Sequence, residues 1–212
     1  RARVLLVNKK LLPDPSQWPR SVGALADAKW KDNAAFAKPL FGTTNTHAAI
    51  IWSMAGPEAA KAFWKKTLDN AVMEAGNAQA RDAAAAGEVA FCMTDTDDAH
   101  GAIVDGAPVE IVFPEGGPAG EGTILIPNTV VLIKNSPNSE NGKKLIDYLV
   151  SRKVEARLAQ SRAAQLPVRK GIEGPKRLPD MGELKMMEID WGKAYEAIAP
   201  STEWLAKTLA DR

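Results

Sequence analysis

Gly87-Glu88-Val89-Ala90-Phe91-Cys92-Met93-Thr94-Asp95-Thr96-Asp97-Asp98-Ala99 decides how the rest of the chain is read. Val89 to Met93 is an unbroken apolar run, long enough for a buried strand and too short for a buried helix. Hydroxyl and carboxylate residues follow at its end, and Asp98 to Val104 then reads as a helix. In α/β proteins, ligands sit beyond the carboxyl ends of strands, where the chain turns into the next helix. The densest polar cluster of the sequence therefore falls where a binding site is expected. It contains Asp95, Asp97 and Asp98, with no evident base or nucleophile beside them.

Outward from this stretch, strand and helix patterns alternate, which predicts an α/β fold with a mixed sheet flanked by helices. Val4 to Val7 and Ala34 to Ala37 read as strands, with a helix opening after Ser21 between them. Pro39 to Asn45 reads as a loop. From Thr46, residues His47, Ile50, Ile51 and Met54 recur at helical spacing until Gly56-Pro57 stops one helix and starts another. That second helix sets Ala60, Phe63, Trp64 and Leu68 against Lys61, Lys65 and Lys66 on the opposite face. Ala78 to Ala86 is a third helix, closed by Gly87. Beyond the acidic segment come a strand from Val109 to Phe113 and a Gly/Pro-rich loop. Thr123 to Lys134 is apolar and β-branched, and reads as a long extended segment. Helices are expected over 138–151, with Leu145, Ile146 and Leu149 inward, and over 153–160, 190–198 and 201–210.

The chain has 212 residues, enough for a full core, and a formal net charge of +1. That balance gives no electrostatic case for nucleic acid or an anionic membrane as partner. No apolar run is long enough to span a bilayer, so an integral membrane protein is not expected. Cys92 is the single cysteine, which excludes an intramolecular disulfide, and its apolar strand suits an inert thiol. The chain opens directly in an apparent strand, as in a mature or truncated product.

The order of these pieces resembles the ferric-ion-binding type of periplasmic solute-binding protein, the receptor class of ABC importers. The resemblance is carried by Arg3 to Leu11, Leu25 to Lys31, Pro39 to Thr44, Gly87 to Ala90, Ile126 to Lys134 and Lys143 to Leu149, in that order. It implies a two-lobed, Venus-flytrap fold, with residues 5–124 in the second lobe and 125–180 in part of the first. Residues 181–212 would be helices returning to the second lobe, and the opening part of the protein would lie outside this chain. It further implies a periplasmic or extracytoplasmic receptor, without catalysis, that delivers a small-molecule or ion ligand to a permease. One departure is decisive for the ligand. The iron-binding members carry two adjacent tyrosines after the central strand, whereas this chain has Thr96 and Asp97 at about those positions. Its only tyrosines, Tyr148 and Tyr195, lie in predicted helices elsewhere.

Two segments are candidate halves of the site. Gly42-Thr43-Thr44-Asn45 precedes a helix, so its N–H groups and hydroxyls suit an anion; plain capping by Thr44 or Asn45 is the alternative. Asn77, after Gly76, opens the next helix where the resembling family places a polar contact. Asp95, Thr96 and Asp97 make the other half, for an organic cation or a hard metal ion held by Asp95 and Asp97; capping of the following helix by at least one of the aspartates Asp95, Asp97 and Asp98 is also expected, with the others facing water. No cofactor beyond such a metal is implied. His47 reads as a packed histidine. Two other functions compete: a metal-dependent hydrolase using Asp95, Asp97 and Asp98 with His100, and a sensor domain of the same fold. The chain lacks a Gly-x-Ser-x-Gly elbow, a Walker loop and a metalloprotease histidine pair, all of which weigh against the first. A zwitterion, or a metal with its partner anion, would satisfy both halves of the expected site.

Overall fold

The computed structural model describes residues 1–212. Its centre is a five-stranded mixed sheet: β1 (Arg3–Asn8), β2 (Ala34–Ala37), β3 (Val72–Glu74), β4 (Phe91–Asp95) and β5 (Val109–Val112), in the order β3-β2-β4-β1-β5. β2 runs parallel to β3 and β4, whereas β1 runs antiparallel to β4 and β5. The two-residue side-chain period sorts this sheet into two cores. Leu5, Val7, Phe36, Phe91 and Met93 face one side, beneath α1 (Gly42–Ala55) and α2 (Pro57–Asn70). Val4, Leu6, Ala35 and Cys92 face the other, beneath α3 (Asn77–Ala86) and α4 (Thr96–Val104). Because both faces are covered, the strands read as continuous apolar runs. Trp30 meets Phe91 edge-on at 5.2 Å between ring centres, and burying such rings contributes about 1.5–3 kcal/mol each.

α7 (Trp191–Ala210) packs along α1, with Trp204 6.1 Å from Trp52. It is one helix running through Pro200, where two helices were expected. Residues 125–180 are different in kind. They hold α5 (Ser139–Leu149) and α6 (Arg152–Ala159), and α5 buries none of its residues. Leu145 and Leu149, expected inward, are exposed. Thr123 to Lys134 is not a strand: Thr123 and Leu125 make isolated bridges to Met186 and Ala2, and Val130 to Ile133 find no neighbouring strand. β-branched residues favour extended backbone, but extended backbone becomes a strand only where another strand supplies hydrogen bonds.

Near the decisive stretch the boundaries shift. β4 begins at Phe91 and carries Thr94 and Asp95 inside the sheet, so Asp95 is a strand residue and not a loop residue. α1 begins at Gly42, four residues before the expected start; the left-handed φ of Gly42, +61°, is open to glycine at no steric cost. β3 had no counterpart in the sequence reading. Its three residues, two of them exposed, carry too short a pattern to register.

Candidate functional site

The site is built where β1, β4 and three helix starts meet. Antiparallel register sets Arg3 of β1 directly opposite Asp95 of β4. Directly opposed residues project to the same face, and oppositely charged ones attract. Arg3 Nη1 donates to Asp95 Oδ1 at 2.6 Å, to Thr43 Oγ1 at 3.1 Å and to Asn77 Oδ1 at 3.3 Å, while Nη2 donates to Thr44 Oγ1 at 3.1 Å. The second Asp95 oxygen accepts from Thr43 Oγ1 at 2.6 Å and from Asn77 Nδ2 at 3.0 Å. Asn77 Nδ2 also reaches Thr43 Oγ1 at 2.8 Å. The two halves expected from sequence are therefore one network, and the segments Phe41–Asn45 and Asp95–Asp98 lie on the same side.

Depth divides the expected residues. Arg3 is 1% exposed, Asp95 0%, and Thr44 and Thr96 are equally buried. Thr43, Asn77 and Asp97 are half-buried and Gly42 is exposed, so these four border the solvent. Thr96 turns its hydroxyl to the N–H of Ala2 at 3.1 Å and fastens the start of β1. Asn45 points away from the cluster: its amide donates to the carbonyl of Pro39 and, at 2.7 Å, to Thr202, tying α1 to α7. Asp97 pairs with Arg1 at 3.1 Å through one oxygen, while its other oxygen is buried without a partner. Arg81 stands 3.8 Å from Asp98.

The helix starts share a property. α1, α3 and α4 begin here, and none has a side-chain hydrogen bond capping its first turn. α2 and α5 lack such a bond as well, whereas Ser151 caps α6 and Asp190 caps α7. The aspartate cap expected at the start of α4 is not made, because Asp95 is turned to Arg3. Uncapped first-turn N–H groups carry partial positive charge, and three sets of them converge on the carboxylates.

Titration follows from this geometry. Burial alone would raise the Asp95 carboxyl, but the Arg3 charge, the hydrogen bonds from Thr43 and Arg3, and the Arg1 charge outweigh it and hold the group below the usual range. Asp98 moves the other way: burial and then the neighbouring Asp97 and Asp95 charges push it up, against Arg81 and Arg1. His47, 2% exposed as expected of a packed residue, is driven down to about 3 by burial and by the Arg3 charge. It is neutral at physiological pH. His47 and Arg3 line a small cavity of about 10 Å³ together with Gly116, Gly117 and Ile124. Both Arg3 Nε and His47 Nδ1 are buried without a partner, and a cavity of this size holds one water. Burial pushes the Cys92 thiol far up, in keeping with an inert residue.

Arg3 is the central residue that sequence reading missed. Its signal was a lone charge at the head of the apolar run Val4 to Val7, but only the β1–β4 register shows what it faces.

A profile of the family described as "Bacterial extracellular solute-binding protein" matches residues 1–196. The chain belongs to this family. A curated relative, "Iron uptake protein A1" of Synechocystis sp., is 30% identical over 96% of this chain and 58% of its own length. A "Putative 2-aminoethylphosphonate-binding periplasmic protein" of Salmonella typhi is 25% identical over 79% of this chain and 49% of its own. The chain thus spans roughly half the length of these relatives. Among solved structures, apo ferric ion-binding protein A of Pasteurella haemolytica superposes with a TM-score of 0.80 at 23% identity, covering 100% of this chain and 68% of that one. The likeness establishes the fold expected from sequence, that of the periplasmic binding proteins. Within this family, the absence of a tyrosine pair after β4 is a property of the chain itself: Tyr148 and Tyr195 lie exposed on α5 and α7. No helix is long and apolar enough to cross a membrane.

Proposed function

We propose that the chain is the ligand-holding part of an extracytoplasmic receptor that captures a small solute between two lobes and delivers it to an ABC-type permease. The observation that carries this reading is the convergence of three uncapped helix starts and the Arg3–Asp95 network at the carboxyl ends of β2 and β4. Thr43, Asn77 and Asp97, with the backbone at Gly42, are the groups that meet solute. Asp95, Thr44 and Thr96 support them from beneath. Residues 125–180 belong to the opposite lobe, and 181–212 return to the first-described one. The apolar residues of α5 and of Val130 to Ile133 then await strands that lie outside this chain, which agrees with its span of 58% of a curated relative.

The solute is recognised by oxygen acceptors. Oxygens of Asp95, Asp97 and Asp98 lie within 4.8 Å of one another; with those of Asp95 taken up by Arg3, Thr43 and Asn77, Asp97 and Asp98 are left to face a hard cation or an ammonium. The hydrolase reading lacks support in placement: His100 borders a surface hollow with Gln160, Ser161 and Arg177, and its Nδ1 meets the carbonyl of Arg162 at 2.9 Å, with none of the three aspartates among its partners. A thermal-shift screen of the full-length protein with Fe³⁺, Ca²⁺, Mg²⁺ and 2-aminoethylphosphonate tests the proposal. A solute that binds the native state raises Tm by mass action, and Asp97→Asn should remove that shift. A shift unchanged in Asp97→Asn and Asn77→Ala would move the site elsewhere, and turnover of a substrate would replace the receptor reading.

A further inference from the structure

The groups around Asp95 are those that would hold an external oxyanion. A guanidinium, a hydroxyl and an amide N–H all donate to its two oxygens. Both oxygens of Asp95 are thereby taken up. The Thr43 hydroxyl donates to Asp95 while accepting from Arg3 and Asn77. Asn77 accepts from Arg3 through one end of its amide and donates to Thr43 and Asp95 through the other. No donor of this cradle on Arg3 is turned toward solvent, and neither charged partner has more than 1% of its surface exposed. Behind the guanidinium, neutral His47 and the small cavity close the remaining side.

We infer that Asp95 is a built-in anion: it occupies the oxyanion position of the site, so the solute presents a cationic or hydrogen-bond-donating group to Asp97 and brings no oxyanion to Arg3. The inference rests on the receptor reading for its meaning, but its geometry stands independently. A buried guanidinium needs a partner, and Asp95 supplies one permanently. A solute oxyanion would have to break three charge-assisted or hydroxyl hydrogen bonds and open a sealed pair to take its place. Among the buried side-chain oxygens here, the second oxygen of Asp97 is without a partner while its first pairs with Arg1 at 3.1 Å, and the free one calls for a donor or a metal ion. Charge agrees: Asp95 cancels Arg3, and the half-buried Arg1 beside them, 3.6 Å from Asp95 and 3.1 Å from Asp97, is itself paired with carboxylates.

The test is chemical rescue in the full-length protein. Asp95→Ala removes the carboxylate and leaves its donors facing a void. Its Tm should fall, and formate, acetate or inorganic phosphate at millimolar concentration should restore at least half of the loss. Wild type should show no more response to these anions than to chloride. The double variant Arg3→Met, Asp95→Ala should not be rescued. If Asp95→Ala does not fold, Asp95→Asn, which keeps the shape, should bind phosphate in calorimetry where wild type does not. The inference fails if wild type is stabilised by phosphate as strongly as the variant, which would mean that a solute oxyanion displaces Asp95. It also fails if neither variant responds to any anion. These readouts use only simple anions, so they remain decisive even if every solute in the thermal-shift panel proves inert.

Discussion

Residues 1–124 and 125–180 carry comparable apolar patterns and reach different ends. α1 and α5 are both preceded by loops and both present apolar residues at helical spacing. α1 buries six residues against the sheet and α7; α5 buries none. Val4 to Val7 and Val130 to Ile133 are both short apolar runs, yet the first is the middle strand of a paired ladder and the second lies open. What separates them is the supply of partners. A pattern states which face of a segment is apolar; burial requires a second surface of matching period. In the first region each strand has a neighbour and each face has a helix. In the second, only Val154, Ala159, Ala164, Leu166, Pro175 and Leu178 are buried, and Ala164, Leu166 and Leu178 reach the core of the first.

The comparison can be broken by truncation of side chains. Phe36→Ala in β2 should cost this chain about 3–5 kcal/mol, as large cavities in packed cores do. Leu145→Ala in α5 should change it by less than about 0.5 kcal/mol, the range of exposed substitutions. In the full-length protein Leu145→Ala should instead cost about 2–5 kcal/mol, the range for core leucines. Urea denaturation measures all three, and equal losses in the short chain would erase the contrast. Arg3→Met is expected to cost a further about 3–5 kcal/mol, because it strands Asp95 as an unpaired buried charge.

Smaller effects sharpen the comparison through pH. The folded-state pKa of His47 is depressed to about 3 from 6.5, so its contribution to stability is complete above pH 6.5 and is lost as pH falls toward 3. The expected slope is about 1.4 kcal/mol per pH unit over that window, and His47→Gln should remove it. Asp95, also lowered, adds its own loss only below its ordinary range near pH 3.8. Denaturation midpoints at pH 6.5, 5.5 and 4.5, compared between wild type and His47→Gln, separate the two, since Asp95 does not act until lower pH. The least effect belongs to Asp98. Its pKa is raised, so its charged form costs stability as pH rises; Asp98→Asn should raise Tm slightly at pH 7 and leave it unchanged below pH 4. A fall in Tm at pH 7 would show that Asp98 is held by its neighbours and not crowded by them.

Much of the first region was legible in sequence because its signals are local. The apolar runs gave β1, β2 and β4, the Lys-faced periodicity gave α2, and Gly87 with its left-handed φ closed α3 as expected. Thr43, Asn77 and Asp95 were picked out singly from helix starts and a strand end, and the fold brings them together. What stayed hidden was pairing. Arg3 became central only through the register with Asp95, and that register also turned Asp95 from a candidate solute contact into the partner of a buried guanidinium. Asn45 had the chemistry of a contact but spends it on Thr202, 157 residues away in sequence. The segment 123–134, expected to be extended, pairs only through isolated bridges at Thr123 and Leu125: its own signal was strong, and no strand lies beside the rest of it.

The central claim is that solute meets the chain at the starts of α1, α3 and α4 above an unbroken Arg3–Asp95 pair. Amide hydrogen exchange of the full-length protein, with and without the panel compound giving the largest Tm shift, tests it most directly. Exchange should slow together at Gly42 to Thr44, Asn77 to Gln79 and Asp97 to Asp98, while amides across the β1–β4 ladder keep their already high protection. Slowing confined to other segments, such as 166–182, with no change at the three helix starts, would contradict the account.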